Sequence, residues 1–198
     1  MQIEIRAGGA HLTGYANVTE KKSRPVITPH GKVIEEILPG AFAGAIERAE
    51  NIALTKDHDP SKLLAETRAG SLVLYEDSIG LHYDADITDE ETVEEARAGK
   101  IRGVSFGMRN VTDTLEQRAE ELPLRRIKGL DMDHITLVVQ KVPVYSATSV
   151  EIRAGEPVDV ETRGIEDAPR VEQVGQEEKP SVDGNAVYRA RVEAIRKK

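Results

Sequence analysis

Arg102-Gly103-Val104-Ser105-Phe106-Gly107-Met108 is the stretch on which the reading of this chain turns. Val104, Phe106 and Met108 alternate with Ser105, Gly107 and Arg109, the period-two pattern of a half-buried strand. The three apolar side chains are expected to face a core, with Ser105 on the opposite face. Gly103 and Gly107 carry no side chain, so another group can come close to the serine. A serine hydroxyl is a weak nucleophile near neutral pH and needs an adjacent base, most often histidine. Two histidines stand in suitable settings: His58 within Lys56-Asp57-His58-Asp59-Pro60, and His134 within Leu130-Asp131-Met132-Asp133-His134-Ile135. The plain alternative is that Ser105 is a small strand residue between glycines.

Outward from this strand, the pattern is one of many short strands with two helices. Ile3 and Ile5 alternate with polar residues, and with Leu12 to Val18 they predict an opening hairpin turned at Gly8-Gly9. Residues 19–32 read as a loop, and Val33 to Leu38 as a short strand closed by Pro39-Gly40. Phe42, Ala45, Ile46 and Ala49 recur at helical spacing over 41–50. Pro60 disfavours helix at Asp59, so His58 belongs at a strand end or in the loop beyond it. Leu72 to Tyr75 and Leu81 to Ala85 flank a turn as a second hairpin. Thr88 and Glu91 read as the capping box of a helix that ends at Gly99. The charged residues 112–126 read as a surface excursion. Ile135 to Val142, the most apolar run, predicts a central strand with His134 at its start, followed by a turn and a last strand over Pro143 to Val150.

After Arg153 the composition shifts to prolines, glycines and acids. Residues 154–180 read as a disordered acidic linker, and 181–198 as a basic C-terminal segment with a short helix from about Asp183. The expected fold is α+β: a β-barrel-like core of mostly antiparallel strands with a few surrounding helices over residues 1–153, plus a disordered tail.

Of the 198 residues 31% are charged and only 4% aromatic, so the core must be built from Val, Ile, Leu and Ala. A net charge of −8 argues against nucleic acid as a partner. The absence of cysteine excludes disulfides, thiolate metal sites and a cysteine nucleophile, and fits a reducing compartment. Met1 to Arg6 show no signal-peptide pattern and no apolar run reaches membrane-spanning length, so an intracellular protein with no membrane partner is expected.

Gly103-Val104-Ser105-Phe106-Gly107 matches the G-x-S-x-G elbow of α/β-hydrolases, but an elbow needs a helix after the serine and here the strand alternation continues. A metal site built from His58, His134, Asp57, Asp59 or Asp133 lacks any recognised ligand spacing. Neither a metal nor a cofactor is expected.

The order of segments resembles the prohead maturation proteases of tailed bacteriophages, distant relatives of the herpesvirus assemblins. The resemblance is carried by Gly14-Tyr15-Ala16-Asn17-Val18, Ile37-Leu38-Pro39-Gly40-Ala41-Phe42 and Asp57-His58-Asp59. It continues through Glu76-Asp77-Ser78-Ile79-Gly80-Leu81 and Gly99-Lys100-Ile101-Arg102-Gly103-Val104-Ser105-Phe106-Gly107. The last piece is Ile135-Thr136-Leu137-Val138 leading to Pro143-Val144-Tyr145-Ser146-Ala147-Thr148. Together they cover about residues 12–153 and leave the tail aside.

The resemblance implies a serine peptidase with Ser105 as nucleophile and His58 as general base. The third triad position falls just before the Ile135 strand, where phage relatives carry glutamate and this chain has His134. A Ser-His-His set is what the assemblins use. Asp131 and Asp133 are the rivals for this role, and strand alternation would put Asp133 on the face opposite His134, so that those two could not both serve. No oxyanion donor is assigned; backbone N–H groups near Ser105 are the candidates. The implied substrates are a scaffold protein or the scaffolding arm of the major capsid protein, with self-cleavage, and the implied enzyme is a homo-oligomer. It would act in the host bacterial cytoplasm, inside the assembling prohead. The competing reading is a non-enzymatic assembly protein with a silent protease-like domain.

Overall fold

A computed structural model gives the fold and describes residues 1–28, 31–139, 149–153, 156–166 and 170–173, the last three stretches as strand backbone. In chain order the elements are β1 (Gln2–Arg6), β2 (Gly9–Val18), β3 (Val26–Thr28), β4 (Gly31–Ile37), α1 (Ala41–Arg48), β5 (Ala53–Lys56), β6 (Asp59–Glu66), β7 (Leu72–Glu76) and β8 (Gly80–Ile87). They continue with α2 (Glu90–Arg97), β9 (Gly103–Glu116), β10 (Leu124–Asp131), β11 (His134–Val138), β12 (Ser149–Arg153), β13 (Glu156–Glu166) and β14 (Arg170–Gln173).

The strands form a five-stranded sheet, β14-β1-β2-β8-β7, and a nine-stranded one that runs β3-β4-β10-β9-β11-β5-β6, with β13 beside β9 and β12 beside β13. Alternate residues of both sheets, among them Ile3, Leu12, Ala85, Leu54, Val104, Phe106, Ile135 and Leu137, meet in one core. The result is an open, barrel-like α+β fold, as the alternating pattern predicts. Helix α1 lays Phe42 edge-on against Phe106, with ring centroids 5.3 Å apart and planes at 81°. Its first turn has donors that need acceptors, and the Glu76 carboxylate at the end of β7 takes the Gly40 and Ala43 amides at 2.7 Å each. That contact ties the helix to the smaller sheet.

Strand β9 is the spine of the larger sheet. β10 pairs with its outer part, from Arg109 to Glu116, and β11 with its inner part, from Gly103 to Phe106. The two partners are separated only by Met132-Asp133. On β9 residues 103–108 the antiparallel strand β13 also pairs, with Gly164 opposite Ser105.

The structure departs from the sequence reading at four places. Residues 19–32 contain β3, which closes a tight hairpin with β4 through Thr28 opposite Gly31. Residues 112–126 are largely the β9–β10 hairpin, because their charges pair across strands. Arg125 binds Glu35 at 2.9 Å and also Asp113, while Arg126 binds Glu36 at 3.1 Å and also Glu116. The cap of α2 is Asp89, whose Oδ1 accepts the Thr92 amide at 2.9 Å, and not Thr88. Within the expected linker, 154–180, strand backbone is present at β13 and β14, which pair with β9 and β1. Val158, Val160 and Thr162 alternate with acids there, so the acid content hid a period-two pattern. Residues 140–148 of the expected central strand and turn, and the basic segment 181–198, lie outside the described residues.

Candidate active site

On β9, Val104, Phe106 and Met108 belong to the core, which leaves Ser105 and Gly107 on the other face of the strand. Ser105 is itself only 5% exposed. Its neighbour across the β9–β11 pair is Thr136, and His134, two residues earlier on β11, comes over Gly107.

His58 sits in the two-residue turn between β5 and β6. Asp57 and His58 both have positive φ, 50° and 60°, the signature of a type I′ hairpin turn. That conformation is uncommon for residues with a side chain, and each such residue costs on the order of 1 kcal/mol or more unless its surroundings fix it. Here they do. The Asp57 amide donates to the Leu137 carbonyl at 2.8 Å, and Asp57 Oδ1 accepts the Val139 amide at 2.8 Å. The His58 amide donates to Thr136 Oγ1 at 2.9 Å, and that hydroxyl donates in turn to the Thr55 carbonyl at 3.1 Å. Thr136 therefore joins Ser105's strand neighbour position to the backbone of His58. Beneath the turn, buried Lys56 reaches α2, where it pairs with Glu91 at 3.2 Å and with Glu95. Burial alone would lower its pKa, but its contacts with the accepting carboxylates of Glu95 and Glu91 outweigh it and hold the ammonium above its ordinary value.

The two histidines meet. His58 Nδ1 lies 3.3 Å from His134 Nε2, with the rings edge-to-face at 87°. His134 Nδ1 lies 2.7 Å from Asp133 Oδ1, and Asp133 Oδ2 accepts from the Arg109 guanidinium at 2.9 Å. The hydrogen bond from His134 holds the Asp133 carboxyl below its ordinary range, and the Arg109 charge acts in the same direction. A carboxylate only accepts, so with neutral rings the proton order is fixed. His134 carries its hydrogen on Nδ1, its Nε2 accepts from His58 Nδ1–H, and His58 Nε2 is the ring nitrogen that carries no hydrogen.

Gly107 is the seat of the His134 ring. A Cβ at that position would lie 2.4 Å from His134 Cε1, 3.0 Å from Nε2 and 3.1 Å from Nδ1. The open approach expected beside the serine is thus filled by the second imidazole. Asp133 and His134, expected on opposite faces, are hydrogen-bonded instead. Asp133 lies in the break between β10 and β11, before the pleat of β11 begins, so strand alternation does not govern it. Asp57 ties down the turn, and Asp59 Oδ1 accepts from the Ser61 amide at 2.9 Å. Sequence reasoning missed Arg109 and Thr136. The available signals were that Arg109 lies on the same strand face as Ser105 and that Thr136 follows His134 by two.

Behind the histidine pair, a cleft of about 520 Å³ opens between the end of α1 and the β10–β11 break, walled by Ala49, Arg109, Met132 and Asp133. No helix among the described residues is long and apolar enough to cross a membrane.

A buried strand hydroxyl and a hydrogen-bonded histidine pair set close together on one open barrel point to the serine proteases. Comparison with protein families agrees: the model of the caudovirus prohead serine proteases matches residues 1–161, and the chain belongs to that family. The matched span includes His58, Ser105, Asp133 and His134, and ends within β13. Searches of curated proteins and of solved structures returned no match.

Proposed function

We propose that the protein is a maturation endopeptidase of the phage prohead, with Ser105 as nucleophile, His58 as general base and His134 as the residue that orients His58. Its substrates are the scaffold or the scaffolding arm of the major capsid protein, and its own C-terminal region. It works in the bacterial cytoplasm inside the assembling shell. Membership of the prohead protease family supports the substrate class. The observation that carries the assignment of roles is the His58 Nδ1 to His134 Nε2 contact of 3.3 Å, one strand position from Ser105's neighbour Thr136 on the same strand face.

In the reaction, Ser105 Oγ attacks the scissile carbonyl as His58 Nε2 takes the hydroxyl proton. The imidazolium is stabilised through its Nδ1–H, held by His134. Collapse of the tetrahedral intermediate breaks the C–N bond, and His58 returns the proton to the leaving amine. Water then repeats the sequence on the acyl-enzyme and releases the carboxylate.

The test is co-expression with the neighbouring capsid protein, with and without Ser105→Ala, followed by intact-mass measurement of both chains. Processing is expected with the native chain and absent with a folded Ser105→Ala variant. Unchanged cleavage by that variant removes the serine assignment, and unchanged masses with the native chain favour a silent assembly partner.

A further inference from the structure

We infer that Asp133, anchored by Arg109, is a fourth, positioning member of the site: it fixes the tautomer and ring orientation of His134, and through His134 those of His58. The inference rests on the proposed serine mechanism and deepens it. Without Asp133, a neutral His134 could present either ring nitrogen to His58 as donor or acceptor, and only one tautomer accepts from His58 Nδ1–H. The 2.7 Å contact from Asp133 Oδ1 to His134 Nδ1 selects that tautomer. The carboxylate also supplies the negative charge that a histidine in the third position lacks, so the imidazolium formed during attack is stabilised from one residue further away.

Asp133 is held for this task from its other side. Its Oδ2 accepts from Arg109 at 2.9 Å, which leaves Oδ1 aimed at the ring. Arg109 stands on β9 four residues beyond Ser105, on the same strand face, so one strand carries both the nucleophile and the anchor of the carboxylate. The charged groups around the pair are His58 from the β5–β6 turn, Arg109 from β9, Asp131 from β10 and, across the cleft, Arg48, Glu50 and Arg68. Arg48 is engaged with Asp131 at 3.1 Å, and Arg68 is 3.8 Å from Glu50. Of these guanidinium groups, Arg109 is the one shown bonded to Asp133.

The experiment labels the full-length protein with an alkyl fluorophosphonate, which forms an O–P bond with an activated serine and releases fluoride. Inactivation is followed by intact mass as a function of probe concentration and pH. The ring nitrogens of His134 are read independently by ¹H–¹⁵N correlation. One adduct is expected on the native chain and none on Ser105→Ala. Asp133→Ala should lower the maximal labelling rate about tenfold with little change in the half-saturating probe concentration, the low end of the scale found when a metal-ligating histidine loses its outer partner. It should also alter the pH profile and abolish the single Nδ1–H tautomer of His134, with an unchanged melting temperature. Asp133→Glu should recover part of the rate, and Arg109→Gln should fall between the two. Labelling of Ser105→Ala at the native rate overturns the serine mechanism and this inference with it. An unlabelled Ser105→Ala alongside an Asp133→Ala that keeps the native rate, pH profile and tautomer overturns the role of Asp133 alone.

Discussion

Gly107→Ala tests whether the second imidazole matters, because it perturbs His134 without removing any polar group. The added methyl would lie 2.4 Å from His134 Cε1. Carbon atoms settle near ~3.5–4.0 Å from one another, so the ring must recede by about 1 Å. The His58–His134 contact is already 3.3 Å, and a recession of that size takes it beyond hydrogen-bonding distance. A misplacement of ~1 Å can cost ~10²-fold in rate, equivalent to ~2.7 kcal/mol of barrier. Gly107 is outside the left-handed region of φ, so alanine brings no backbone strain. The His134 side chain is 21% exposed and can swing outward, which keeps the folding cost at or below the low end of the ~1–3 kcal/mol typical of overpacking. The assay is a time course of capsid-protein processing by intact mass, paired with thermal melts. The expected loss is bounded by that of His134→Ala, and in a His134→Ala background the second substitution should add little. Native activity in Gly107→Ala refutes the reasoning. So does an equal loss in both backgrounds, since the effect would then not pass through His134.

Three further outcomes are expected. His134→Glu, which would mimic the carboxylate of phage relatives, places a second acid beside Asp133; like-charge repulsion should lower processing at neutral pH, and adding Asp133→Asn should restore part of it. Asp131 is held below its ordinary value of 3.8 by hydrogen bonds from Asn110 and Arg48. Its folded pKa is depressed, so its stabilisation is present above pH 3.8 and is lost as pH falls through the folded pKa. In urea melts the gap between the native chain and Asp131→Asn should therefore be larger at pH 7 than well below pH 3.8, and a gap that grows on acidification would contradict this sign. Truncation after Gln173 should melt cooperatively near the full-length temperature, whereas truncation after Arg153 should melt lower, since β9 loses β13 and β1 loses β14; equal melting of the two would show that these strands add nothing.

What could be read from sequence follows from where the governing physics is local. The alternation of Val104, Phe106 and Met108 with Ser105 and Gly107 is a property of one strand, and it puts the three apolar side chains in the core with Ser105 on the opposite face. Pro60 restricts the residue before it, which is enough to put His58 at a strand end. The link from Asp133 to His134 was not legible, because it depends on the break between β10 and β11, which only pairing with β9 reveals. The same holds for Asp57 and Thr136, whose hydrogen bonds join segments about 80 positions apart, from Asp57 to Val139 and from His58 to Thr136. The β9–β10 hairpin was hidden for a related reason: a run of charges looks solvated until its partners, Glu35 and Glu36 on β4, are brought alongside.

The polar face of β9 explains why such a line of groups can be held in register. Ser105, Gly107 and Arg109 occupy successive positions on that face, spaced by ~6.6–6.8 Å for each pair of residues. They carry in turn the proposed nucleophile, the seat of His134 and the anchor of Asp133. The opposite face at Val104, Phe106 and Met108 is core. Slipping β9 by one residue would move Ser105 into the core and expose Phe106, so the packing that stabilises the fold also forbids misalignment of the site. The strained Asp57-His58 turn then needs to be fixed only relative to β11, and Leu137, Val139 and Thr136 do that through three hydrogen bonds. Alignment of the base with the serine thus reduces to the pairing of β9 with β11, which buried Phe106, Ile135 and Leu137 enforce.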